Sequence, residues 1–167
     1  MTGKTGDTPF KKESFEIHNL RDEIRADKLC TRFLKLFYLD LVGQEKLSPE
    51  EASALAYGAD YFLREFVISD RRDNIFTLSS RRIRQFAANW YIVKNLEPNM
   101  GDLAGILKGI QAFYKYCHRA GKVSAEFLIN VQKECSELDY YRQRIEAFWA
   151  IENNGYLTWE QECTLKD

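Results

Sequence analysis

Few side chains in this sequence are of types that do chemistry, and their spacing does not gather them. The only histidines are His18 and His118, and the four cysteines are Cys30, Cys117, Cys135 and Cys163. Zinc and redox sites need thiols or imidazoles one helical turn or one tight loop apart, as in Cys-x-x-Cys, and no such pair occurs here. His118 follows Cys117 directly, but adjacent residues on a helix point about 100° apart and rarely share a metal. The thiols therefore read as free, and neither a metal nor another cofactor is expected. Glu50-Glu51 is a tight carboxylate pair at a predicted helix start, where it serves capping better than acid–base work. No phosphate-binding G-x-x-x-x-G-K-[ST] loop, G-x-G-x-x-G turn, G-x-S-x-G elbow or H-E-x-x-H helix is present, so the expected function is binding and not catalysis.

What remains is charge. The net charge of −1 conceals a basic centre, +6 over residues 61–122, between acidic ends, −5 over residues 123–167. Clustered cations are what a polyanion partner requires. The alternative is that the acidic ends pair internally with the basic centre. Two groups carry the positive charge. Arg81, Arg82 and Arg84 fall in or near the first turn of a predicted helix, where the dipole is already positive and basic residues mildly destabilise. Either a phosphate or a salt bridge to Asp70 or Asp73 would offset them. Lys108, Lys115, Arg119 and Lys122 fall within one narrow sector of the next helix, opposite its apolar face, and that sector holds no acid. The aromatic residues Trp90, Tyr91, Tyr140, Tyr141, Trp149 and Trp159 are able to stack bases, although aromatics at helical spacing usually form core.

These groups must be carried by helices, since apolar residues recur at helical period and no run alternates long enough for a sheet. The periodicity predicts a first helix over about Asp27 to Leu41. A second is capped by Ser48, with Pro49 at its first position, and reaches about Val67. Residues 69–74 read as a loop. Ser79 or Ser80 caps a third helix burying Ile83, Phe86, Ala87, Trp90 and Val93, which stops before Pro98. Asn99 caps a fourth, from about Met100 to Ala120, which Gly121 stops and which buries Leu103, Ile106, Leu107, Ile110, Phe113, Tyr114 and Cys117. Gly105 and Gly109, four apart on it, would let a neighbouring helix approach. A fifth begins after Ser124 and breaks near Ser136. Asn153-Asn154-Gly155 is a predicted turn, and Thr158 a predicted cap of a last short helix. The expected fold is an all-α orthogonal bundle of about five main helices, one domain over 14–167 behind a disordered tail at 1–13.

The stretch from about Ala52 to Ser124, with YFLREF closing one helix, LSSRRIRQF opening the next and DLAGILKGIQAFYKYCHRAGKVS forming the last, resembles the SAM-like core-binding domain of phage integrases and other tyrosine recombinases. Leu107, Ile110, Phe113, Tyr114 and Gly121 reproduce that family's apolar and aromatic cadence. The resemblance implies a four-helix DNA clamp whose basic residues grip phosphates while a separate domain does the chemistry. After Ser124 the chain has only Arg142 and Arg144 and no histidine, so strand transfer is not expected.

The leading expectation is thus a non-catalytic module that contacts double-stranded DNA through Arg81, Arg82, Arg84, Lys108, Lys115, Arg119 and Lys122. The alternative is a protein-interaction or self-association module in which the basic residues are covered. No segment is apolar over the roughly 18 residues a membrane span needs, and residues 1–13 lack the apolar core of a signal peptide, so a cytoplasmic protein without a membrane partner is expected.

Overall fold

The computed structural model describes residues 10–152 and 155–163. All regular elements among them are helices, and the expected all-α bundle is the observed fold. The chain enters through a 3-10 turn, Lys12–Phe15, and continues into α1, Leu20–Gly43. It then forms α2, Pro49–Asp60, which runs on through π turns over Tyr61–Ile68. Next come α3, Arg81–Gln85, a π segment over Phe86–Trp90, and α4, Tyr91–Lys94, joined end to end. The remaining helices are α5, Met100–Arg119, α6, Ala125–Cys135, α7, Leu138–Trp149, and α8, Gly155–Gln161. Of the tail expected over 1–13, residues 10–13 belong to packed structure: Phe10 is buried, its ring 5.2 Å from that of Phe33. Residues 1–9 lie outside the described residues.

The starts expected at Ser48, Asn99 and Ser124 are observed as side-chain caps, whereas Ser80, at the start of α3, makes no side-chain cap and Ser79 Oγ accepts from Arg81 N–H instead. The side chains of Ser48, Asn99 and Ser124 accept from the backbone N–H groups of Glu51, Asp102 and Phe127, which satisfies donors that a helix start leaves unpaired. Gly121 closes α5 at φ 75°, while Lys122 N–H returns to the Cys117 carbonyl at 2.8 Å. Only glycine adopts that backbone conformation freely. Two helices start earlier than the sequence reading predicts. Helix α1 begins at Leu20, seven residues before Asp27, because Asn19 caps it by accepting from Asp22 N–H. Helix α8 begins at Gly155, which places Thr158 inside it. The predicted turn at Asn153-Asn154 lies outside the described residues.

The third expected helix departs in register. Ile83, Phe86 and Ala87 are buried as predicted, but Val93 is 40% exposed, and Tyr91 and Ile92 take the interior instead. The π segment is the cause. An i to i+5 turn inserts one extra residue, so every position beyond it moves one place round the helix axis. Buried apolar residues from all the main helices join in one core, aromatic at its centre: Phe33 and Phe37 meet Phe113 edge-on, and Phe62 and Phe66 meet Phe86.

Helices α2 and α5 cross closely. A β-carbon on Gly58 would lie 2.9 Å from Ile106 Cα, and one on Gly109 would strike the Leu55 carbonyl and Ala59 N, so glycine is needed at both. Gly105 meets nothing within 4 Å. The close approach expected of Gly105 and Gly109 is thus made by Gly109 with Gly58.

Candidate functional site

The seven basic residues expected to hold phosphates do not present one cationic face. Arg82 donates through Nε to Asp73 Oδ2 at 2.6 Å and through Nη1 to Gln85 Oε1 at 2.6 Å. Arg84 reaches α6, where Nη2 donates to Glu134 Oε1 at 3.4 Å, and its guanidinium lies 5.3 Å from the Tyr140 ring centroid. Arg119 forks onto Asp40 of α1, at 2.9 Å and 3.3 Å, with Glu45 at 3.3 Å; the Asp40 hydrogen bond raises its pKa further. Lys122 Nζ donates to the Phe10 carbonyl at 2.9 Å. Arg81, Lys108 and Lys115 are exposed and form no ion pair with the described residues. Of the two partners weighed for the arginines at the start of α3, Asp73 takes Arg82, while Asp70 lies 3.5 Å from Arg71.

The same pattern extends through the basic centre. Arg72 pairs with Glu23 at 2.9 Å, and Arg64 sits between Asp27 and Asp60. Hydrogen bonds from Arg64 to Asp27 first, and then to Asp60, hold its guanidinium charged well beyond the usual range. Within the basic centre Arg64, Arg72, Arg84 and Arg119 pair with carboxylates of its acidic flanks, Asp27, Glu23, Glu134 and Asp40 among them, all distant in sequence.

Arg144 differs from all of these. It is buried, and it donates to two backbone carbonyls, Ala88 at 2.9 Å and Trp159 at 2.6 Å. Its guanidinium stacks 3.9 Å from the Trp159 ring centroid, and Trp159 Nε1 donates back to the Arg144 carbonyl at 2.8 Å. This arrangement ties α8 to α7 and the π segment.

The four cysteines are free and buried. Loss of solvation raises the thiol pKa values of Cys30, Cys117 and Cys135, so these sulfurs stay protonated and are poor nucleophiles. Among the described residues no three His, Cys, Asp or Glu side chains come together as metal ligands. No helix among them is long and apolar enough to cross a membrane.

An apolar opening lies elsewhere, between α1 and α2, and sequence reasoning missed it. This groove, about 470 Å³, has Leu34, Tyr38 and Ala56 along its floor, with Lys35 on the α1 side and Asp60 on the α2 side. Leu39 and Tyr57 project from opposite walls, 61% and 62% exposed. Both fall outside the apolar stripes that bury α1 and α2, and large apolar residues off the core stripe of two successive helices were the available signal. The expected base-stacking aromatics are mostly core: Tyr91, Tyr141 and Trp159 are buried, Trp90 and Tyr140 partly so, and only Trp149 is exposed.

No family model matches this chain, and no curated protein or solved structure matches it either.

Proposed function

We propose that the chain is a non-catalytic helical module that binds protein, with the α1–α2 groove as its docking surface. The observation that carries this reading is the engagement of Arg82, Arg84, Arg119 and Lys122 within the fold, beside an open groove walled by Leu39 and Tyr57. Phosphate binding draws its affinity from cations free to displace counterions. Withdrawing Arg82, Arg84 or Arg119 from its carboxylate would leave that carboxylate unpaired, which offsets much of the gain. The remaining cations, Arg81, Lys108 and Lys115, are divided between α3 and α5. Apolar walls around a pit bounded by one charge of each sign, by contrast, are the common anatomy of a protein-docking patch.

Fluorescence anisotropy of a labelled DNA duplex, at low and at physiological salt, separates this reading from the DNA-binding one. The expected result is no salt-steep binding, and the same trace for the Lys115→Glu/Arg119→Glu double variant. Strong low-salt binding that the double variant weakens, with helix content unchanged, would overturn the proposal and return the phosphate-gripping role to the basic residues.

A further inference from the structure

Resting on the protein-binding reading, we infer that the partner presents an acidic α-helix, which lies lengthwise along the outward crest of α1. At about 100° per residue, Arg21, Arg25, Lys28, Arg32 and Lys35 fall within about 40° on either side of one line down that helix. All five are exposed, and Leu39 continues the line, 61% exposed. The stripe exists because α1 begins at Leu20; a helix starting at Asp27 would hold only Lys28, Arg32 and Lys35.

The fold leaves most of this charge open. Every carboxylate of α1 lies off the line and is engaged: Asp22 accepts from His18 N–H, Glu23 pairs with Arg72, Asp27 with Arg64 and Asp40 with Arg119. Arg21, Lys28 and Lys35 form no ion pair with the described residues. Arg25 reaches Asp22 at 3.1 Å and the carbonyls of Ser14 and Glu16, and the Arg32 guanidinium lies 5.6 Å from the Phe10 ring centroid. The entry segment beside the stripe sets Lys11 and Lys12 against Glu13 and Glu16 and leaves its sign unchanged. Like charges one turn apart repel each other, and an anionic partner removes that cost.

The spacing selects a helix among anions. Successive cations are four, three, four and three residues apart, the repeat of a helix–helix seam, and together they cover about 21 Å. Carboxylates on a second α-helix repeat in the same alternation, whereas phosphates along a nucleic-acid strand are evenly spaced. Ile24 and Leu36, 48% and 38% exposed, sit about 60° to either side of the stripe. Lysine and arginine side chains are longer than these and stand on the crest, so a flat lipid surface meets the charges and stops short of the aliphatics. A helix packed about 8–10 Å away reaches both.

Anisotropy of a labelled synthetic helix of about 20 residues, with glutamates in that alternation and leucines beside them, tests this on the full chain. A peptide of the same composition with its glutamates spread round the helix is the reference. The in-register peptide is expected to bind about tenfold more tightly, with affinity falling as salt is added. Lys28→Glu/Lys35→Glu should weaken it by about tenfold at unchanged far-UV spectrum and Tm, since both side chains are exposed and unpaired among the described residues. The double variant should instead bind the same peptide with lysine in place of glutamate. Lys108→Glu, an exposed site on α5, should change nothing. Equal affinity for the two peptides, or none for either, overturns the acidic helix while the protein-binding reading stands. An equal loss with Lys108→Glu overturns the stripe as its seat. Vesicles of phosphatidylcholine and phosphatidylserine that sediment the wild type but not the double variant overturn the helix in favour of an anionic membrane surface. A DNA duplex bound steeply with salt by the wild type, and not by the double variant, overturns this inference and the protein-binding reading together.

Discussion

Two glycines on one helix show how much a single hydrogen can matter. Gly109 faces the backbone of α2 at a distance that admits no β-carbon, whereas Gly105 faces open space. Gly109→Ala must therefore push α2 and α5 apart, at a cost of about 2–3 kcal/mol, the scale of overpacking in a closed core. Gly105→Ala removes backbone freedom from the unfolded chain without a clash and should stabilise by about 0.5–1 kcal/mol. Urea denaturation of the two variants checks this, and equal effects would mean that the helices do not cross where Gly58 and Gly109 put them. The sequence shows both glycines at the same helical spacing and cannot separate them. Capping residues such as Ser48, Asn99 and Ser124 are legible because donor and acceptor sit within three residues of each other. The partner of Arg119 is not, because Asp40 is 79 residues away.

At the scale of elements, helices whose hydrogen bonds keep one period are readable and helices that change period are not. Helix α5 buries the seven residues that a uniform 100° step predicts. The α3–α4 rod shifts by one residue across Phe86–Trp90, so Val93 faces solvent. Helix α8, seven residues long, is too short to persist alone and depends on its neighbours. Arg144 holds it, through the Trp159 carbonyl and ring. Arg144→Met keeps the apolar stem and removes these contacts. It should raise the rate at which a thiol reagent labels Cys163, buried just past α8, by about tenfold, equivalent to about 1.4 kcal/mol of local opening. Labelling of Cys30, Cys117 and Cys135 should stay slow, which distinguishes release of α8 from global unfolding. Unchanged labelling of Cys163 would show that Trp159 packing alone retains the helix.

Over the whole molecule, burial of ionisable groups links stability to pH. Desolvation raises the thiols of Cys30, Cys117 and Cys135 and the phenols of Tyr91, Tyr114 and Tyr141 above their ordinary values. Each group is neutral when protonated, and the folded chain holds its proton more tightly than the unfolded chain does. Its contribution is therefore complete below the ordinary thiol value of 9.0 and phenol value of 10.0 and is lost as pH rises beyond them. Calorimetry from pH 7 upward should find Tm little affected by these groups until about pH 9 and falling steadily above it. A Tm that holds into strongly alkaline solution would mean that these side chains reach water.

The fold class, the apolar face of α5, the free cysteines and most helix caps follow from the order of residues alone, because periodicity and capping act over one or two turns. The fate of the charges does not. A basic stretch with acid-free helix faces is equally compatible with an anionic partner and with carboxylates brought in from elsewhere, and only tertiary structure sets Asp40 against Arg119, Glu134 against Arg84 and Glu23 against Arg72. The α1–α2 groove belongs to the same category. Leu39 and Tyr57 are ordinary apolar residues in the sequence, and they become two walls of one surface only when their helices pack side by side.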